Sequence, residues 1–248
     1  NNGGIVFGDL AFTTDDIVQF YAAGYDQYGN FISDVSVDWS TLGGLESATG
    51  SGTSFSFSPS LGGGVTGTVQ ADHATVTDDA TGTLTVNNGI LAELKIQTEN
   101  SANGHILGDT SLTFDQSLTL YSWGYDADGN SLGLESSIWT LNSLSGSLSG
   151  SNPATSRTYS PQGASTGSIS AASNANGDIS DNSGSISTTA GNLNYVTIRT
   201  EANNGGIVFG DLAFTTDDIV QFYAAGYDQY GNFISDVSVD WSTLGGLE

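Results

Sequence analysis

Apolar and polar residues alternate singly along most of this chain, in short runs. In SFSFSP (54–59) phenylalanine occupies alternate positions, and VSVDWS (237–242) sets Val237, Val239 and Trp241 against Ser238, Asp240 and Ser242. IVQFYAAGY (219–227), GTVQA (67–71) and GTLTV (82–86) follow the same rule. A period of two marks a strand with one buried face, and an apolar period of 3.6 holds nowhere convincingly. Gly, Ser, Asp or Asn bounds each run. Turns therefore recur about every eight to twelve residues, the spacing of an antiparallel β-sandwich of about 100 residues. Trp39, Trp139 and Trp241, each flanked by alternating positions, are predicted core residues.

One turn is written three times. GYDQYGN occupies 24–30 and 226–232, and GYDADGN occupies 124–130. Asp can accept hydrogen bonds from backbone amides two residues on, and Gly tolerates positive φ. Asp-x-x-Gly-Asn therefore predicts a short hairpin, joining a strand that ends at Tyr227 to one that begins near Phe233.

The turn belongs to a larger repeat. Residues 1–46 are identical to 203–248, a shift of 203 − 1 = 202. Within that period Gly124, Tyr125, Asp126 and Trp139 match Gly226, Tyr227, Asp228 and Trp241. Phe57, Pro59, Gly82 and Leu91 match Tyr159, Pro161, Gly184 and Leu193. Two divergent modules thus alternate. The expected division is 1–89, a module without its first strand; 90–191, a complete module; and 192–248, the first half of a third. Such ragged ends are expected of a window from a longer periodic polymer.

A strand running into Asp-x-x-Gly-Asn and followed by a Val-x-Trp-Ser strand resembles the bacterial immunoglobulin-like repeats of invasin- and intimin-type adhesins and giant surface proteins. YAAGYDQYGN…VSVDWS (223–242) and YSWGYDADGN…SSIWT (121–140) carry the resemblance, with DDATGTLTV (78–86) and DNSGSISTT (181–189) leading into last strands. It implies an all-β fold of tandem Ig-like antiparallel sandwiches joined end to end. It further implies an extracellular, cell-surface location and a role as stalk, filament or adhesin section. Neighbouring copies of the repeat are the expected partners, head-to-tail and laterally. The alternative is a carbohydrate- or ligand-binding Ig-like module of an adhesin or secreted hydrolase, for which an exposed row of Tyr121, Trp123 and Tyr125 would speak. Some related surface domains carry Lys–Asn isopeptide bonds, and Lys95 with Asn182 would be the pair here, although Thr197 replaces Lys95 in the sister module.

Composition narrows the chemistry. Lys and Arg number 3 against 27 Asp and Glu, for a formal net charge of −24. Acids stand near their ordinary share, so the deviation is a lack of cations. Nucleic-acid binding, which needs a basic surface, is excluded. No apolar run approaches the ~20 residues of a membrane helix. Without cysteine there is no disulfide or thiolate chemistry.

Calcium is the sharpest candidate ligand. Asp126, Asp128 and Asn130 have the 1, 3, 5 spacing of an oxygen-ligand loop. Ser131 and Ser137 stand where an EF-hand carries Gly and Glu, and the sister loops read DQYGN, without the middle carboxylate. A plain hairpin is the competing reading. Asp78-Asp79 and Asp217-Asp218 are further acid pairs near expected junctions. His73 and His105 occupy unlike positions, and no nucleophile elbow, phosphate loop or zinc spacing occurs. No catalytic residues are assigned and no enzymatic activity is expected.

Overall fold

The computed structural model describes residues 6–245. It is all-β. The first sandwich sets one sheet, Leu10–Thr13, Leu84–Asn87, Val65–Asp72, Val37–Gly43 and Thr49–Gly52 in spatial order, against two smaller ones. Those pair Val18–Tyr21 with Ser54–Phe57, and Ala23–Tyr25 with Phe31–Asp34. Between the layers lie Phe12, Phe20, Val37, Trp39, Phe55, Phe57, Val69, Leu84 and Val86. These are the alternate positions of the period-two runs, so the pattern reports which side of each strand meets the opposite sheet.

The second sandwich repeats the plan. Glu93–Gln97, Leu118–Tyr125, Ser156–Pro161 and Gly146–Leu148 form one layer, with Ser131–Leu134 beside the second strand. Thr110–Thr113, Ile186–Thr189, Ser165–Ser173 and Ser137–Asn142 form the other. Leu94, Ile96, Leu120, Trp139, Tyr159, Ile169 and Ile186 fill the space between. Each sandwich contains one parallel pair, Leu10–Thr13 with Leu84–Asn87 and Thr110–Thr113 with Ile186–Thr189.

Among the remaining residues, Tyr195–Arg199, Tyr223–Tyr227 and Phe233–Asp236 make a three-stranded antiparallel sheet. Here the sequence reading needs correcting. VSVDWS at 237–242 is not a strand, and Trp241 is 52% exposed, whereas Trp39 is 5% and Trp139 3% exposed. The reason is pairing. Strand Val37–Gly43 is held between Thr49–Gly52 and Val65–Asp72, and Trp39 Nε1 donates to Gly52 O at 3.0 Å. Among the described residues no strand pairs with 237–242. Likewise IVQF (219–222) is irregular, while its twin Val18–Tyr21 pairs with Ser54–Phe57.

Candidate functional site

The repeated turn is a hairpin in all three places, with φ of 81°, 84° and 82° at Gly29, Gly129 and Gly231. L-residues with a Cβ resist that region, which accounts for the glycine. In each copy the first Asp folds the loop on itself. Asp126 Oδ1 accepts from Asp128 N at 3.1 Å and Asn130 N at 2.8 Å. Asp26 and Asp228 accept likewise from Tyr28 and Asn30, and from Tyr230 and Asn232.

The second oxygen reaches outside the hairpin. Asp126 Oδ2 accepts from Thr14 Oγ1 of the first sandwich at 3.0 Å and from Gly89 N at 2.9 Å. Asn130 Nδ2 donates to Ser60 O at 2.9 Å, and its Oδ1 accepts from Gly62 N at 3.2 Å. Asn88 Nδ2 donates to Ser131 O at 2.8 Å. The hairpin of one sandwich is thus seated on the base of the one before it. Asp15 completes the joint by accepting from Ile90 N at 2.7 Å. Gly89 must lack a side chain, since a Cβ there would fall 2.6 Å from both Asp15 oxygens.

The next joint uses the same parts. Asp228 Oδ2 accepts from Gly191 N at 3.2 Å, and Asp115 Oδ2 accepts from Asn192 N at 2.5 Å. Gln229 Nε2 donates to Asp115 Oδ1 at 3.0 Å. Phe114 occupies the place of Thr14, so no hydroxyl reaches Asp228 there. Asp126 and Asp228 are buried.

Burial alone would raise both carboxyls, but hydrogen bonds outweigh it. Asn130, Gly89 N and Thr14 hold Asp126 below the usual carboxylate value, and Asn232, Gly191 N and Tyr230 N do so for Asp228. Asp26 is lowered too, by Asn30 first and then Tyr28 N.

The expected calcium ligands fare unequally. Asp126 is buried at the joint, Asn130 is half-buried and turned to the first sandwich, and Asp128 is exposed. Asp126 is ringed by N–H and O–H donors, which suit a carboxylate and repel a cation. Among the described residues no three His, Cys, Asp or Glu side chains group as a metal site. Both oxygens of Asp126 are taken by donors of the protein. Lys95 pairs with Glu93 Oε2 at 3.1 Å and lies over the Tyr125 ring at 4.5 Å.

Tyr121, Trp123 and Tyr125 share a face of Leu118–Tyr125 without forming an exposed row. Tyr125 is buried, its hydroxyl bonded to Ala102 O, and Trp123 Nε1 donates to Ser131 Oγ at 2.7 Å. His73 and His105 lie in separate turns. Open grooves beside Phe222 and Trp241, and beside Phe209 and Ile219, mix apolar side chains with Gln221, Ser242, Thr243, Thr200 and Asp211 and gather no converging titratable cluster.

Sequence reading named Asp126 and Asn130 but missed Thr14, Asp15, Ser60, Gly62, Asn88 and Gly89. A signal existed for one pair. Gly89 and Gly191 stand at the same separation as Leu91 and Leu193.

No protein family matches the chain, and no curated protein matches it. Among solved structures it is similar to the S-layer protein rSbsC at 18% identity and TM-score 0.28, covering 88% of this chain and 27% of that one. It is similar to the fibronectin(III)-like modules of Clostridium thermocellum CbhA at 11% and 0.23, over 76% and 92% of the two chains. A third likeness, at 14% and 0.23 over 94% and 63%, is to the Bacteroides ovatus protein SGBP-B, solved with a mixed-linkage heptasaccharide. The chain spans about a quarter of the S-layer protein's length. The resemblance to bacterial Ig-like repeats therefore stays one of strand and turn pattern.

Proposed function

We propose that this chain is a structural section of an extracellular stalk or filament at a microbial surface. Its Ig-like units, 1–89, 90–191 and 192–248, are stacked head-to-tail and carry no catalytic role. One observation supports this most: the same hairpin Asp captures the amide of the linking glycine at both joints, Gly89 for Asp126 and Gly191 for Asp228. A bare tether would leave those amides to water. Seating them on a buried carboxylate fixes each unit against the last, as repeat proteins need if length is to grow with copy number. Electron microscopy of the native assembly tests the reading. Extended rods or fibres with a regular axial repeat are expected; isolated compact particles would overturn it.

A further inference from the structure

Asn88 directly precedes Gly89, so the first joint is built on an Asn-Gly pair. That pair has a chemistry of its own. The glycine nitrogen attacks the asparagine side-chain carbonyl carbon, a C–N bond forms, and ammonia leaves to give a cyclic succinimide. Water then opens the ring at either carbonyl, leaving aspartate or its backbone-shifted isomer, isoaspartate. In sum an amide and a water become a carboxyl group and ammonia, with nothing oxidised or reduced. The reaction needs a free glycine N–H and a backbone able to bend into the ring, and glycine, lacking Cβ, obstructs that least.

The closed joint withholds both. Gly89 N donates to Asp126 Oδ2 at 2.9 Å, and Asn88 Nδ2 donates to Ser131 O at 2.8 Å. Asn88 Oδ1 is buried and accepts no hydrogen bond among the described residues. It lies against the backbone of the first sandwich, since a Cβ at Gly62 would fall 2.5 Å from it. The Gly62 amide is already given to Asn130 Oδ1. The nucleophile is therefore bonded to a carboxylate, and the side chain is pinned between two sandwiches.

The same site suits an amide and not an acid. A carboxylate at 88 would set one oxygen against the Ser131 carbonyl, with no proton to donate. Its other oxygen would occupy a buried place that offers no donor. The isomer would in addition lengthen the backbone beside Gly89. At the second joint Ala190 stands in the place of Asn88 and precedes Gly191, so only the first joint carries the pair.

We propose that Asn88–Gly89 is a deamidation site gated by the joint. It is shielded while Asp126 holds Gly89 and reactive when the two sandwiches part. Once converted, it bars them from closing again. The joint thus keeps a covalent record of having opened.

The full chain carries its own references for the test. Asn103–Gly104 and Asn176–Gly177 are also Asn-Gly pairs, in turns away from the joint, and both asparagines are exposed. After incubation at mildly alkaline pH, peptide mass spectrometry of the parent chain should find Asn103 and Asn176 converted well before Asn88. Asp126→Ala should raise the rate at Asn88 about tenfold, because a bond to a charged acceptor is lost, and leave the references unchanged. Thr14→Val, which keeps the loop of Asp126 whole, should raise it less, and decides the point if Asp126→Ala speeds all three sites. Asp26→Ala deletes the same loop bonds away from the joint and should leave Asn88 as it was. An Asn88 that converts as fast as the references in the parent chain, or that ignores both joint variants, would overturn the gate.

Hydrogen exchange at Gly89 tests the bar to closing. Asn88→Ala drops only the bond to Ser131, whereas Asn88→Asp adds a charge without a donor, so the Asp variant should exchange faster. Equal protection in the two would overturn that part. All of these readouts lie within one chain, so the inference and the stalk reading can fail separately.

Discussion

Thr14 Oγ1 donates to Asp126 Oδ2 across 3.0 Å, a buried bond between residues 112 apart in the chain. It links the base of one sandwich to the turn of the next. Without it Asp126 would still order its own loop, as Asp26 does. With it, and with Gly89 N on the same oxygen, the turn becomes a joint.

Asp126→Ala should therefore cost more than Asp26→Ala, although both delete the same loop bonds. The extra cost is the unsatisfied Thr14 hydroxyl and Gly89 amide, about 1–3 kcal/mol. Calorimetry of the two variants measures it, and equal shifts would show that the joint adds nothing.

Trp139 is 3% exposed and its Nε1 donates to Ala154 O at 2.8 Å. Trp139→Ala should destabilise the second sandwich by about 3–5 kcal/mol. Trp241→Ala, at a position half open to solvent, should change little. Denaturant unfolding followed by fluorescence of the remaining tryptophans compares them.

Asp126 and Asp228 are held below the ordinary carboxylate value of 3.8. Their folded values lie under the unfolded ones, so their contribution is complete above the unfolded value. It fades as pH falls through that value toward the folded one. Melting temperatures should stay level through neutral pH and drop below about pH 4. Asp126→Asn should flatten part of that drop, and a profile identical to the parent chain would contradict the assignment.

Gly129 has φ of 84°. Gly129→Ala should cost about 1–2 kcal/mol, and Gly129→Asn less, since Asn tolerates the left-handed region. Thermal melts of the pair give the order, and an Ala variant no less stable than the Asn variant would be inconsistent with a strained turn.

Chelator should leave the melting temperature unchanged, because the oxygens of Asp126 are already taken by Thr14, Gly89, Asp128 and Asn130. Stabilisation on adding calcium, abolished by Asp126→Asn, would reverse that conclusion.

Local chemistry carried the strands and the turn. Alternation in SFSFSP placed Phe55 and Phe57 inward, and both are buried. Asp-x-x-Gly-Asn predicted a hairpin between Tyr227 and Phe233, and strands end and begin there. These features depend on residues a few positions apart, so a single stretch of sequence is enough to determine them.

What Asp126 does was decided only by tertiary structure. Its partners Thr14 and Gly89 lie 112 and 37 positions away, and no periodicity connects them. The identical segments make the point within one molecule. Trp39 is core and Trp241 exposed, Tyr25 half open and Tyr227 covered, from the same 46 residues written twice. A period-two pattern says which face of a strand is apolar. Burial requires a second surface against that face, and the opposite layer of the sandwich supplies it, as Phe55 of Ser54–Phe57 does by stacking on Trp39.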